Sequence, residues 1–79
     1  MSILVKLSAS LRNRLPGYDP HAGLEVAHRP GLTVGQVMAE LGLAPEEVKI
    51  ILVNGVSGDT DTALAPGDRL ALFPAVGGG

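Results

Sequence analysis

The chain has no cysteine and no tryptophan, and only one tyrosine and one phenylalanine among its 79 residues. Without cysteine there are no disulfides, no thiolate metal sites and no cysteine nucleophile, a composition that fits a reducing compartment. With 46% hydrophobic residues and almost no aromatics, the core has to be assembled from Leu, Val, Ile and Ala, which makes Phe73 stand out. Clustered positive charge is also missing. Lys6, Arg12, Arg14, Arg29, Lys49 and Arg69 are scattered through a chain of net charge −2, so no row of cations is available to neutralise a run of phosphates. The opening apolar stretch, MSILVKLSAS, is too short for a spanning helix or a signal peptide and carries a lysine inside it. A soluble, cytoplasmic protein without nucleic-acid or membrane partners is expected. A chain of this length forms one small domain that buries only about 60% of its unfolded surface.

What is present is a succession of short periodic segments. Ser2 to Ser8 alternates, with Ile3, Val5 and Leu7 on one side and Leu4, Lys6 and Ser8 on the other, as in a half-buried strand. Pro16-Gly17 and Asp19-Pro20 make Ala9 to Gly23 a loop, with room for one helical turn around Leu11. Leu24 to His28 alternates again and is placed to return beside the first strand, until Pro30-Gly31 ends it.

Thr33 precedes Val34, Val37, Met38 and Leu41 at helical spacing, and Gln36 completes a capping box. Gly42 supplies the stop and Pro45 follows, with a short second turn allowed at Ala44 to Glu47. Val48 to Val53 is a nearly continuous apolar run ending at Asn54-Gly55, the dipeptide suited to a tight hairpin. A Gly- and Asp-containing crossover, Val56 to Leu64, leads through Pro66-Gly67-Asp68 to a last strand, Arg69 to Phe73. The expectation is an α+β fold in which one main helix packs on one mixed sheet of about four strands and leaves the other face uncovered.

If Ile3, Val5, Ile50, Leu52, Leu70 and Leu72 face the helix, the pleat sends Leu4, Ile51, Val53, Ala71 and Phe73 to the uncovered side. Two outcomes stay open for that apolar patch. It is a partner-binding surface with Phe73 as anchor, or the Ala9 to Gly23 loop covers it.

Catalytic candidates are sparse. His21 and His28 lack the i, i+4 spacing of a zinc pair, and Asp59-Thr60-Asp61 has the start of a calcium loop without its later glycine and glutamate. Glu46 and Glu47 read as an exposed turn, and Ser2, Ser8, Ser10 and Ser57 lie in no nucleophile elbow. The sequence closes on Gly77, Gly78 and Gly79, a thin thread without Cβ atoms that suits a narrow channel in a partner.

Leu41-Gly42, Val53-Asn54-Gly55, Pro66-Gly67-Asp68, and Phe73-Pro74 running through Val76 to Gly78-Gly79 together resemble the MoaD/ThiS-like sulfur carriers of molybdopterin and thiamine biosynthesis. The resemblance spans essentially the whole chain, and its ending is most similar to that of the small subunit of molybdopterin synthase, with Gly77 standing where alanine is usual. It implies a ubiquitin-like β-grasp domain over residues 1–73 and a flexible tail over 74–79. It also implies that Gly79 is adenylated by an E1-like adenylyltransferase of the MoeB/ThiF type and converted to a thiocarboxylate. Pro74, Val76, Gly77 and Gly78 would then be the residues by which the tail is recognised. ATP is used by the activating partner, and the chain itself binds no cofactor or metal and supplies no catalytic residue. The sulfur acceptor implied is the large subunit of molybdopterin synthase, with thiamine, tRNA thiolation and cysteine synthesis as alternatives. A ubiquitin-like binding module with a tail that is never activated is the other class.

Overall fold

The computed structural model describes residues 1–19 and 21–74. Five strands form one mixed sheet: β1 (Ser2–Leu7), β2 (Leu24–Ala27), β3 (Val48–Val53), β4 (Val56–Ser57) and β5 (Arg69–Pro74). Their spatial order is β2-β1-β5-β3-β4, and β1 and β5 run parallel at the centre. Helix α1 (Val34–Glu40) crosses one face, and 3-10 turns occupy Ala9–Arg14 and Pro45–Glu47. This is the expected ubiquitin-like β-grasp, with one strand more than the sequence suggested.

The extra strand is β4. Asn54 and Gly55 both take positive φ, 53° and 81°, as a two-residue hairpin requires. The turn folds Val56 and Ser57 back onto Val53 and Leu52. Two residues are too few to show alternation, so the turn is legible in the sequence and the strand is not.

Helix α1 has only seven residues, well short of what holds a helix alone in water. Its ends are therefore closed by side chains and turns. The Gln36 amide N–H donates to Thr33 Oγ1 (3.3 Å) while Gln36 Oε1 accepts from the Thr33 amide (3.1 Å), completing the capping box. At the other end Gly42, with φ 77°, lets the amides of Gly42 and Leu43 reach the carbonyls of Ala39 and Met38. That pair of bonds is a Schellman closure. Val34, Val37 and Met38 face a core that also holds Ile3, Val5, Leu7, Leu11, Leu32, Leu43, Ile51, Leu64, Leu70 and Leu72.

Residues 60–64 strap the helix to the domain. The amides of Val34 and Gly35 donate to the carbonyls of Thr62 (3.0 Å) and Thr60 (2.9 Å), and the Leu64 amide donates to Leu32 O (2.9 Å). His28 Nε2 lies 2.7 Å from Leu64 O, a distance that requires the ring to carry its proton on that nitrogen and donate it.

The loop from residue 9 closes towards the same side. Leu11 is buried, Leu15 and Tyr18 pack against the core, and the Leu7 amide donates to Tyr18 Oη (2.8 Å). Leu11, Leu15 and Tyr18 thus serve the helix side of the sheet rather than the opposite face.

One expectation is corrected in β3. Ile51 is 9% exposed and belongs to the core, Val53 packs against it, and Ile50 is 48% exposed. Ile51 and Val53 therefore face the helix, while Ile50 and Leu52 face away. The register pairs Ile51 with Leu72 and Val53 with Leu70, and residues directly opposite each other share a face. Between Val48↔Pro74 and Ile50↔Phe73 the register slips by one residue at Lys49. This bulge lets Val48 and Ile51, three apart, both pack on the core, which an unbroken pleat forbids. A run with no polar residue at 50–53 held no signal of which side was in.

Ile51→Ala should therefore cost about 2–5 kcal/mol, the range for truncating a core isoleucine. Ile50→Ala should stay within about 0.5–1 kcal/mol, as for an exposed site. Urea unfolding of the two variants beside the parent checks this, and the reverse ranking would overturn the face assignment.

Candidate functional site

β5 connects the two features of functional interest, the uncovered sheet face and the chain's last residues. Pro74, read from sequence as the start of the tail, closes the strand and pairs with Val48. Val76, Gly77, Gly78 and Gly79 lie outside the described residues.

On the uncovered face Leu4 and Phe73 stand where the alternation placed them. Leu4 is opposite Arg69, Lys6 opposite Ala71, Ala71 opposite Leu52, and Phe73 opposite Ile50. None of Leu4, Leu52, Ala71 and Phe73 belongs to the core or to the side chains packed on it. The patch is thus built from Leu4, Ile50, Leu52, Ala71 and Phe73, with Ile50 and Leu52 replacing Ile51 and Val53. Sequence reasoning missed those two because an all-apolar run carries no signal of which side faces in.

Ala71 is the smallest side chain in the middle of this face. Around it lies a shallow open cavity of about 470 Å³, lined by Leu4, Lys6, Leu52, Asn54, Gly55, Arg69 and Ala71 among others. Lys6 Nζ donates to His21 O (2.7 Å), and Gly23 lies against the side chains of Leu4 and Lys6, where a Cβ would come within 3.0–3.1 Å of them. His21 and Gly23, at the end of the 9–23 loop, therefore border the cavity.

The floor at the β3–β5 end is locked by one aspartate. Asp68 Oδ1 accepts from Asn54 Nδ2 (2.9 Å) and Oδ2 from the Ala65 amide (2.8 Å), while Asn54 Oδ1 accepts from the Arg69 amide (2.9 Å). Hydrogen bonds to the charged carboxylate, first from the Ala65 amide and then from Asn54, hold its pKa below the ordinary aspartate value. This network keeps Asn54 in its left-handed conformation and fixes the start of β5.

The catalytic candidates do not converge. His28 is bonded within the strap, and the backbone amide of exposed His21 donates to Asp19 Oδ1 (2.8 Å) within its own loop. Asp59 Oδ1 accepts from the Asp61 amide (2.9 Å) and from Thr62 Oγ1 (3.3 Å), a self-contained turn. Glu47 Oε1 accepts from the Ala44 amide (3.0 Å) and shapes the 3-10 turn before β3. Among the described residues no group of three or more metal-ligating side chains gathers, and no helix is long and apolar enough to cross a membrane.

One helix on a five-stranded mixed sheet is the ubiquitin-like β-grasp, the fold of small carriers that generally work with E1-like activating enzymes. The chain belongs to the ThiS family, whose family model matches residues 5–79. Among solved structures it is similar to SAMP1 from Haloferax volcanii, at 29% identity and TM-score 0.73 over 100% of both chains. A structure of H. volcanii small archaeal modifier protein 1 is similar at 26% identity and TM-score 0.73, over 95% of this chain and 98% of that one. No curated protein matches.

Stability should depend on pH through Asp68. Its folded-state pKa is depressed, so the stability it contributes is fully present above the unfolded value of about 3.9 and is lost as pH falls through the lower folded value. Asp68→Asn should flatten the acid limb of stability below about pH 4. Thermal unfolding from neutral to strongly acidic pH measures this; an unchanged acid limb would show that Asp68 is not linked to folding.

Proposed function

We propose that this chain is a sulfur carrier whose C-terminal glycine, Gly79, is adenylated and then converted to a thiocarboxylate that donates sulfur, in molybdopterin (molybdenum or tungsten cofactor) biosynthesis. The observation that carries the reading is that the ThiS match extends through residue 79, over the Gly78-Gly79 pair. The chemistry needs no catalytic side chain from this chain. A carboxylate is a poor electrophile; its oxygen attacks the α-phosphorus of ATP in an E1-like adenylyltransferase, pyrophosphate leaves, and the mixed anhydride with AMP is open to a sulfur nucleophile. The partner supplies the nucleotide site in the cytoplasm and this chain supplies the acyl group, binding no cofactor itself. Pro74, Val76, Gly77 and Gly78 guide the tail into that site. The acceptor is the large subunit of molybdopterin synthase, of which this chain would be the small subunit; thiamine, tRNA thiolation and cysteine synthesis use the same chemistry.

The likeness to a small archaeal modifier favours a second reading, in which the activated glycine is passed to an amine of another protein. A third is a binding module with an inert tail. Intact mass separates them. After incubation with ATP, the source cell's activating enzyme and a sulfur donor, a carrier gains the mass of one sulfur in place of one oxygen. A modifier instead appears joined to a target with loss of water, and an unmodified terminus with every activating enzyme of that cell would leave only the binding module.

Tail length and width should decide activation. One alanine appended after Gly79 moves the carboxylate by about 3.5 Å, and a misplacement of about 1 Å at a reacting centre costs on the order of a hundredfold in rate. The extended chain and Gly78→Val should keep partner affinity and lose pyrophosphate release by at least that factor, while Gly77→Ala is tolerated. Parental rates in the first two would sink the narrow-channel account.

A further inference from the structure

The network at Asp68 encloses a residue with chemistry of its own. The chain has two asparagines, Asn13 and Asn54. The first precedes an arginine and the second a glycine, whose lack of a Cβ leaves its amide nitrogen open to approach. Asn54 and Gly55 are exposed at the tip of the β3–β4 hairpin. Nothing lies within 4 Å of the place a Cβ on Gly55 would take, and the Gly55 amide has no backbone partner among the described residues. Asn54, by contrast, is tied to the start of β5 at three atoms. Its amide donates to Arg69 O (2.8 Å), its Oδ1 accepts from the Arg69 amide (2.9 Å) and its Nδ2 donates to Asp68 Oδ1 (2.9 Å). It is also the one non-glycine residue in the left-handed region among the described residues. Aspartate, like asparagine, tolerates that conformation, so the backbone does not choose between the two. The Asp68 carboxylate does, because an amide can donate to it and an ionised aspartate has nothing to donate.

The geometry points to Asn54-Gly55 as a self-modification site held in check by this latch, which on release converts irreversibly to an aspartyl or isoaspartyl link. The Gly55 amide nitrogen gives up its proton to a solvent base and attacks Cγ of Asn54. The new N–Cγ bond closes a five-membered succinimide, the Cγ–Nδ2 bond breaks, and Nδ2 leaves as ammonia with a proton from water. Water then adds to either ring carbonyl and opens the ring, giving an ordinary aspartyl link or one routed through Cγ. One water enters, one ammonia leaves, and nothing is oxidised or reduced. To bring Cγ onto the next nitrogen the side chain has to turn towards its own backbone and away from β5. Its bonds to Asp68 and Arg69 break first, and a bond to a charged carboxylate is stronger than one between neutral groups. The product cannot close the latch again. A carboxylate at position 54 has no proton to donate and faces Asp68 Oδ1, a like-charge contact. The isoaspartyl form also adds a methylene to the backbone of a two-residue turn that sets the register of β4. The hairpin and the start of β5 are therefore released together. No residue after Pro74 takes part, so this site and the carrier reading fail independently.

The test incubates the full chain at mildly alkaline pH and reads replacement of the side-chain amino group by hydroxyl from the mass of the tryptic peptide Ile50 to Arg69, in which Asn54 is the only asparagine. A blocked tetrapeptide, Val-Asn-Gly-Val, supplies the unguarded rate. The folded parent is expected to react at Asn54 about a hundredfold more slowly than the tetrapeptide, the factor for opening two side-chain hydrogen bonds of which one is charge-assisted. Asp68→Ala should speed the reaction by at least about tenfold over the parent. Hydrogen exchange at the Asn54 amide, which donates to Arg69 O, reports opening of the latch and should quicken in the same variant. In the deamidated chain, separated by ion exchange, that amide should exchange at least about tenfold faster than in the parent. Dispersion of amide NMR signals reports folding of each protein. If Asp68→Ala does not fold, Asp68→Asn, which keeps the shape and removes the charge, is read in its place, and the comparison of parent with tetrapeptide needs no variant. A parent that reacts as fast as the tetrapeptide, a folded Asp68 variant that reacts at the parental rate, or a deamidated chain with parental exchange at position 54 would each overturn the proposal.

Discussion

The parallel pairing of β1 with β5 at the centre of the sheet is the constraint on which the rest of the structure hangs. Parallel neighbours cannot be joined by a tight turn, so everything between Leu7 and Arg69 is in effect the connection between them. Ile3, Val5 and Leu7 on one strand and Leu70 and Leu72 on the other are all buried on one face, and each such side chain contributes about 1.5–3 kcal/mol on burial. The remaining strands attach outward from this pair, β2 beside β1 and β3 with β4 beside β5. The last described strand thereby becomes a central one, flanked by β1 and β3.

The connection contains one short helix, and one helix dries one face. Because seven residues make a poor helix alone, α1 depends on Thr33 and Gln36 at one end, Gly42 at the other, and the carbonyls of Thr60 and Thr62 that receive its first amides. The strap and the 9–23 loop both send their apolar residues, Leu64, Leu11, Leu15 and Tyr18, to the same side. The opposite face is left with aliphatic side chains framed by Lys6 and Arg69.

Fold alone does not assign the chemistry, since one scaffold hosts many functions. Family membership narrows the class to ubiquitin-like carriers. An adenylated glycine, as proposed for Gly79, would serve a sulfur nucleophile or an amine, and the acceptor would distinguish the two fates.

Much of this architecture is legible in the order of residues. The alternation in Ser2 to Leu7, the Thr33–Gln36 capping box, the Gly42 stop, the Asn54-Gly55 turn and the glycine tail are local signals, written in residues a few positions apart, and local backbone physics reads them without reference to the rest of the chain. The side of the sheet on which Ile50, Ile51, Leu52 and Val53 lie is not local. An all-apolar run has no alternation to orient it, and the bulge at Lys49 that sets its parity exists only because β3 pairs with β5. Strand β4, two residues long, likewise exists only as a partner of β3. The meeting of Lys6 with Arg69, from opposite ends of the chain, follows from the parallel pairing of the first and last strands. Sequence by itself determined which segments become helix, turn and the longer strands; tertiary pairing decided which faces they show, because facing is a property of register between strands and of no strand alone.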